Sequence, residues 1–136
     1  MSKASILLAD DSPAILEHVR GVLEQEEQYR VVAAVTDGAA VLRECARREP
    51  DVIVLDISMG ELSGMDVASR LRARGCASKI VFLTVHEDSD FVHAALGAGG
   101  SAYVVKSRLS VDLLPAIRAA LSDKLFVSSP LMYESG

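Results

Sequence analysis

Four consecutive apolar residues, Val52-Ile53-Val54-Leu55, end on a carboxylate at Asp56, and this arrangement constrains the chain more than any other. Arg47-Arg48-Glu49-Pro50-Asp51 precedes the run and Ser58-Met59-Gly60 follows it. An uninterrupted apolar run of this length between turn-forming neighbours predicts a strand buried on both faces, as in a parallel sheet. Its last residue then stands on the rim of the sheet. In open α/β sheets the rim beyond the strand ends is where ligands bind, so Asp56 is a candidate site residue.

The pattern recurs along the chain. Ile6-Leu7-Leu8-Ala9 stops on Asp10-Asp11, Ile80-Val81-Phe82-Leu83 stops on Thr84, and the strand Ala102 to Val105 stops on Lys106. Tyr29 to Val35 is β-branched and strand-like. Helical spacing fills the intervals. Ile15, Leu16, Val19, Val22 and Leu23 predict a helix from Pro13 to about Gln25, opened by Ser12 as N-cap. Val41, Leu42 and Cys45 predict a second, closed by Pro50, and Val67 with Leu71 a third, from Gly64 to near Gly75. A weaker fourth runs from Ser89 to Ala98, with Phe91, Val92, Ala95 and Leu96 on its apolar face. Gly97, Gly99 and Gly100 follow it as helix-ending and turn glycines, in the wrong context for a phosphate-cradling loop. Leu113, Leu114, Ile117, Ala120 and Leu121 mark the last helix. Because proline lacks an N–H and suits only a first turn, Pro115 sets its expected N-cap at Asp112. Phe126 to Gly136, with Ser128-Ser129-Pro130, reads as a poorly ordered end. The expected division is one domain over residues 1–124 and a tail, or the start of a linker, over 125–136.

Alternating strands and helices predict an α/β fold: a doubly wound, five-stranded parallel sheet of flavodoxin-like order 2-1-3-4-5, with helices on both faces. In that order strands one and three meet at the topological switch point. Asp10, Asp11 and Asp56 then converge, and Thr84 and Lys106 reach the same edge.

Composition narrows the functions. At 136 residues the chain is one domain by size, and with 50% hydrophobic but only 4% aromatic residues its core is built from Val, Leu, Ile and Ala. A net charge of -5 without a Lys/Arg cluster argues against direct nucleic-acid binding. Cys45 and Cys76 match neither a metal nor a redox spacing and read as free thiols of a cytosolic protein. No apolar stretch approaches the roughly 18 residues of a membrane span, so the expectation is a soluble, cytoplasmic protein.

Three carboxylates in one crevice raise one another's pKa unless a cation neutralises them. Oxygen-only ligands select a hard cation, and Mg²⁺ is the one expected. Mg²⁺ held by few protein ligands keeps waters and engages phosphate oxygens. The expected substrate is therefore a phosphoryl group, with Asp56 as nucleophile and Lys106 and Thr84 as partners of the phosphoryl oxygens.

These motifs resemble the receiver domain of two-component response regulators. They are Asp10-Asp11 after strand one, Asp56-Ile57-Ser58-Met59 with Gly64 after strand three, Thr84 after strand four, and Tyr103 with Lys106 on strand five. The resemblance runs from Ile6 to about Leu121. It implies that Asp56 accepts a phosphoryl group from a histidine kinase or phosphotransfer protein. It further implies that Asp11 and the Ser58 carbonyl join Asp56 on Mg²⁺ while Asp10 acts through a metal-bound water. By the same resemblance Thr84 and Lys106 bind the phosphoryl group, and Tyr103 changes orientation with Thr84. Self-phosphorylation and autodephosphorylation are then the only chemistry, and the chain is not otherwise an enzyme. Leu83-Thr84-Val85-His86-Glu87 and Ala102-Tyr103-Val104-Val105-Lys106-Ser107 are most similar to receivers that precede LuxR-type helix-turn-helix domains. A stand-alone receiver and the receiver part of a longer regulator both remain open. The output is an interacting protein or a DNA-binding domain absent from this chain, and a second copy of the chain is a further candidate partner. Gly60 stands where the family usually has proline, and Ser107 where many members do.

Two other functions compete. A degenerate receiver would act as a phosphorylation-independent interaction module. A flavodoxin-like nucleotide or flavin binder would need a Ser/Thr/Gly-rich loop where this chain has Asp10-Asp11-Ser12-Pro13, whose charges repel phosphate without a metal.

Overall fold

A computed structural model describes residues 3–86 and 89–128, apart from the side chains of Ser89 and Phe91. Glu87 and Asp88, and residues 129–136 of the expected tail, lie outside the described residues. The elements alternate in the predicted order: β1 Ala4–Ala9, α1 Pro13–Glu24, β2 Tyr29–Val35, α2 Gly38–Arg48, β3 Val52–Asp56, α3 Gly64–Ala73, β4 Lys79–Thr84, α4 Ser89–Gly97, β5 Ala102–Val105, α5 Leu109–Leu121 and β6 Phe126–Val127. A 3-10 turn, Lys106–Arg108, joins β5 to α5. The sheet is parallel throughout, in the order β2-β1-β3-β4-β5-β6.

Side chains alternate across each strand, and this sorts the apolar residues into two cores. Leu7, Ile53, Leu55, Ile80, Phe82 and Tyr103 face the layer of α2, α3 and α4. Ile6, Leu8, Val52, Val54, Val81, Leu83 and Val104 face α1 and α5, which contribute Val19, Leu23, Leu113 and Ile117. Every residue of β3 is buried, as its unbroken apolar run requires.

Local chemistry sets the ends of the helices. Ser12 Oγ accepts the Ile15 N–H at 3.3 Å, Asp37 accepts the Ala40 N–H at 2.8 Å, and Ser63 accepts the Asp66 N–H at 3.1 Å. Before Pro50, Glu49 takes a left-handed conformation (φ 44) and closes α2. Gly75 (φ 78) and Gly99 (φ 112) end α3 and α4. In each case paired bonds run back to the last turn: Cys76 N–H to the Leu71 carbonyl at 2.9 Å, and Gly100 N–H to the Ala95 carbonyl at 3.2 Å.

Two expectations are corrected. The last helix begins at Leu109 and carries Pro115 inside it, instead of opening at Asp112. The 3-10 turn at Lys106–Arg108 runs straight into α5, so the helix is nucleated before the proline is reached. Leu109 and Leu113, both nearly inaccessible, anchor that first turn in the core. The cost of the bond that Pro115 cannot donate, to the Val111 carbonyl, is outweighed by this burial. The second correction concerns the stretch read as a poorly ordered end, which starts with a sixth strand. Phe126 and Val127 pair with Ala102 and Tyr103, and Ser128 is buried.

Candidate functional site

The switch point falls between β1 and β3, and the loops that leave them bring the three acids together. One ligand oxygen from each of Asp10, Asp11 and Asp56 lies within 4.8 Å of the others. Their environments differ. Asp10 and Asp56 are 1% and 2% exposed, whereas Asp11 is exposed to solvent. Backbone amides fix both buried carboxylates, since Ser12 N–H donates to Asp10 Oδ1 at 2.9 Å and Ser58 N–H donates to Asp56 Oδ1 at 3.1 Å. The Asp10 main chain is held in turn by its N–H bond to the Val35 carbonyl at 3.1 Å.

β3 can deliver Asp56 this tightly because α3 starts on a glycine. A Cβ at Gly64 would stand 2.3 Å from the Asp56 carbonyl oxygen, and the Gly64 N–H donates to the Ile57 carbonyl at 2.8 Å. Here close approach of two backbones requires glycine. Gly60, by contrast, meets nothing within 4 Å and adopts φ +81. Proline, locked at a φ of about -65°, cannot take that angle, so this loop conformation excludes a proline at position 60.

Lys106 enters from the end of β5. Its Nζ lies 2.8 Å from Asp10 Oδ2 and 3.4 Å from Asp56 Oδ2. These are ion-pair distances, yet among the described residues neither oxygen has a well-aligned hydrogen bond. Burial works against the charge on Lys106, but its bond to Asp10 and the charges of Asp56 and Asp10 outweigh this and hold its pKa above the ordinary lysine value. Burial pushes Asp56 up to about 6, with the Ser58 N–H opposing, the Asp10 charge assisting and Lys106 opposing. One ammonium does not balance the acids that face it. Buried, incompletely bonded carboxylate oxygens beside an exposed third carboxylate fit a hard divalent cation. Asp10, Asp11 and Asp56 would hold it.

Thr84 ends β4, 1% exposed, and its Oγ1 accepts the His86 N–H at 2.9 Å. Tyr103, fully buried on β5, donates its O–H to the His86 carbonyl at 3.2 Å. The backbone of His86 therefore bridges Thr84 and Tyr103, the two residues that the receiver resemblance pairs as a switch. That link was not legible in the sequence, where His86 reads as a solvated loop residue. Also unforeseen was Arg72 at the end of α3, which donates to the carbonyls of Cys76 at 2.8 Å, Ser78 at 3.0 Å and Gly99 at 2.7 Å. It ties the α4–β5 turn to the start of β4. Its only sequence signal is the run of turn glycines it serves.

The thiols of Cys45 and Cys76 are free and line a cleft of about 570 Å³ on the side of α2 and α3, away from the acids. Burial pushes Cys45 up to about 12, so it is an inert thiol. Among the described residues no helix is long and apolar enough to cross a membrane.

The profile of the response regulator receiver domain matches residues 6–118. The nitrate/nitrite response regulator protein NarP of Escherichia coli (strain K12) is 38% identical over 122 residues, which cover 89% of this chain and 57% of that protein. The transcriptional regulatory protein DesR of Bacillus subtilis (strain 168) is 31% identical over 128 residues, 94% of this chain and 63% of the relative. The chain thus spans about six tenths of the length of such relatives. A two-component response regulator of the LuxR family from Aurantimonas sp. SI85-9A1 superposes with a TM-score of 0.88 at 33% identity, covering 95% of this chain and 91% of the other. Sequence profile, relatives and fold agree, and the chain belongs to the receiver domains of two-component response regulators.

Proposed function

We propose that this receiver takes a phosphoryl group on Asp56 in a Mg²⁺-dependent reaction, with a histidine kinase or phosphotransfer protein as donor. The observation that supports this best is the convergence of Asp10, Asp11 and Asp56 within 4.8 Å, with the Lys106 ammonium against the two buried acids. An Asp56 oxygen attacks phosphorus; the new O–P bond forms as the bond to the donor nitrogen breaks, and the released imidazole takes up a proton. Bound Mg²⁺ would neutralise charge on the transferring oxygens. In this reading Asp11, Asp56 and the Ser58 carbonyl would hold it directly, and Asp10 would act on it through a water. Lys106 and the Thr84 hydroxyl take the phosphoryl oxygens.

A phosphoryl group adds roughly -1.5 to -2 of charge at Asp56. Drawing Thr84 toward it withdraws the acceptor of the His86 N–H, and the His86 carbonyl is what Tyr103 holds. The change thereby reaches the α4–β5–α5 surface, which is the output face of this proposal. The relatives NarP and DesR carry regulatory names, and transcription is the output we infer, through a DNA-binding unit or partner beyond these residues. A second copy of the chain is a further partner, and the cytoplasm is the compartment in which a kinase would meet it.

Brief treatment with labelled acetyl phosphate and Mg²⁺ tests the acceptor. The wild type should take label, and Asp56→Asn should take none. Label on another acid in that variant refutes Asp56 as sole acceptor, and no label on the wild type favours the degenerate, interaction-only receiver.

A further inference from the structure

Without residues beyond α5, β5 would be a bare edge of the sheet. Asp123, in a left-handed conformation (φ 57), turns the chain back, with Lys124 N–H donating to the Ala119 carbonyl at 2.8 Å and Asp123 N–H to that of Ala120 at 3.1 Å. Phe126 and Val127 then run parallel to Ala102 and Tyr103, one side chain packing on each face of the sheet. The next residue, Ser128, is 1% exposed, and a polar side chain so buried needs partners. It has them on β5. Ser128 N–H donates to the Tyr103 carbonyl at 2.9 Å, and Ser128 Oγ accepts the Val105 N–H at 3.1 Å.

Val105 directly precedes Lys106, where the strand breaks into the 3-10 turn. β4 holds the inner flank of this point through the pairing of Thr84 with Val105. Ser128 holds the outer flank with the side chain itself, beyond the last strand pair of β6. We propose that Ser128 is a positioning residue for Lys106: its hydroxyl fixes the Val105 peptide and so aims the ammonium at Asp10 and Asp56. This rests on the receiver reading of Lys106 given above. A misplacement of about 1 Å can cost a reaction up to about a hundredfold, so one peptide anchor at this place bears on rate as well as on folding.

Labelling rates with acetyl phosphate and Mg²⁺ test the assignment in the full chain. Ser128→Ala and Ser128→Thr are each made with Lys106 intact and in a Lys106→Met background. Ser128→Ala should slow labelling about tenfold when Lys106 is present, and Ser128→Thr, which keeps the hydroxyl, should restore it. In the Lys106→Met background Ser128→Ala should change nothing further, and within each background Mg²⁺ affinity should be the same with and without Ser128→Ala. Equal slowing in both backgrounds means a general loss of structure and overturns the proposal, as does an unchanged rate. If the wild type takes no label, the receiver reading of Asp56 fails separately. The positioning role is then decided by proton exchange at the Lys106 ammonium, measured by NMR. Faster exchange in Ser128→Ala than in wild type upholds it, and identical exchange refutes it.

Discussion

Removing the charge of Asp56 should stabilise the fold at neutral and higher pH. The carboxyl is raised from an ordinary 3.8 to about 6, chiefly by burial, so the native state holds that proton more tightly than the unfolded chain does. The stability contributed by the protonated form is complete below the unfolded value of 3.8 and is lost as pH rises through about 6. At pH 8 the wild type therefore carries the whole cost of ionising a buried acid. A lift of about two units corresponds to roughly 3 kcal/mol at about 1.4 kcal/mol per unit. Asp56→Asn keeps the shape and, through its amide oxygen, the bond from Ser58 N–H. In chelator at pH 8 the variant should gain about 2–3 kcal/mol, on the order of 10 °C in Tm. The gain should shrink toward zero near pH 4. Mg²⁺ should narrow the difference at pH 8 by binding the native wild type. Urea unfolding across pH, with and without Mg²⁺, measures all three. Equal stability of the two proteins at pH 8 without metal, or the same gain at pH 4 and pH 8, would refute the reasoning.

Gly64→Ala should lower stability by about 2 kcal/mol or more in urea unfolding, because the new methyl would meet backbone oxygen at 2.3 Å and no flexible side chain can yield. The same variant should label more slowly, and full wild-type behaviour would disprove the close approach. Gly60→Ala should cost about 1 kcal/mol for its left-handed angle, while Gly60→Pro, locked near -65°, should cost more and shift the amide signals of Ser58 and Met59. A Gly60→Pro protein as stable as wild type would show that the loop does not depend on the φ of +81. Arg72→Ala should cost about 2 kcal/mol by removing three charge-assisted bonds and should speed amide exchange at Gly99 and Gly100. Unchanged exchange there would deny Arg72 its hold on the end of α4.

Much of the architecture was legible because burial on both faces leaves an unmistakable pattern. β5 begins and ends where its apolar run does, β3 takes in Asp56 at its end, and β1 and β4 start two residues and one residue before their runs, at Ala4 and Lys79. Asp10, Asp56, Thr84 and Lys106 could be read because each interrupts such a run, and a parallel sheet sends every such interruption to one rim. What the sequence hid depends on a partner distant along the chain. The rule that keeps proline to a first turn is local, and α5 overrides it because Leu109 is already fixed in the core before Pro115 is reached. Phe126-Val127-Ser128 is too short to show strand periodicity, and its stability comes from the edge of β5, which no local pattern announces. Likewise Arg72 is explained by the carbonyl of Gly99, 27 residues away in sequence.

The same distinction separates the parts of the site. The acids and Lys106 form an electrostatic conflict written into the chain: two buried carboxylates share one ammonium, which meets Oδ2 of each and leaves the rim poorly satisfied. Such a site is stable only because the frame around it is over-determined. β3 is held on both flanks and pressed by Gly64, β4 reaches Tyr103 through His86, and β5 is pinned inside by β4 and outside by Ser128. In the proposed reaction a bound cation would relieve the conflict and a phosphoryl group would add new charge beside Lys106, and either change at such fixed points passes into the bonds that join them. Of those bonds, the His86 bridge is the one that ends on the Thr84 hydroxyl as acceptor; a phosphoryl oxygen would take the proton of that hydroxyl, so the bridge is lost only when the Thr84 side chain moves toward it. The proposed switch then needs no melting of the sheet. It needs only that the Thr84–His86 hydrogen bond, on the order of 1 kcal/mol net, be worth less than the charge-assisted contact that replaces it.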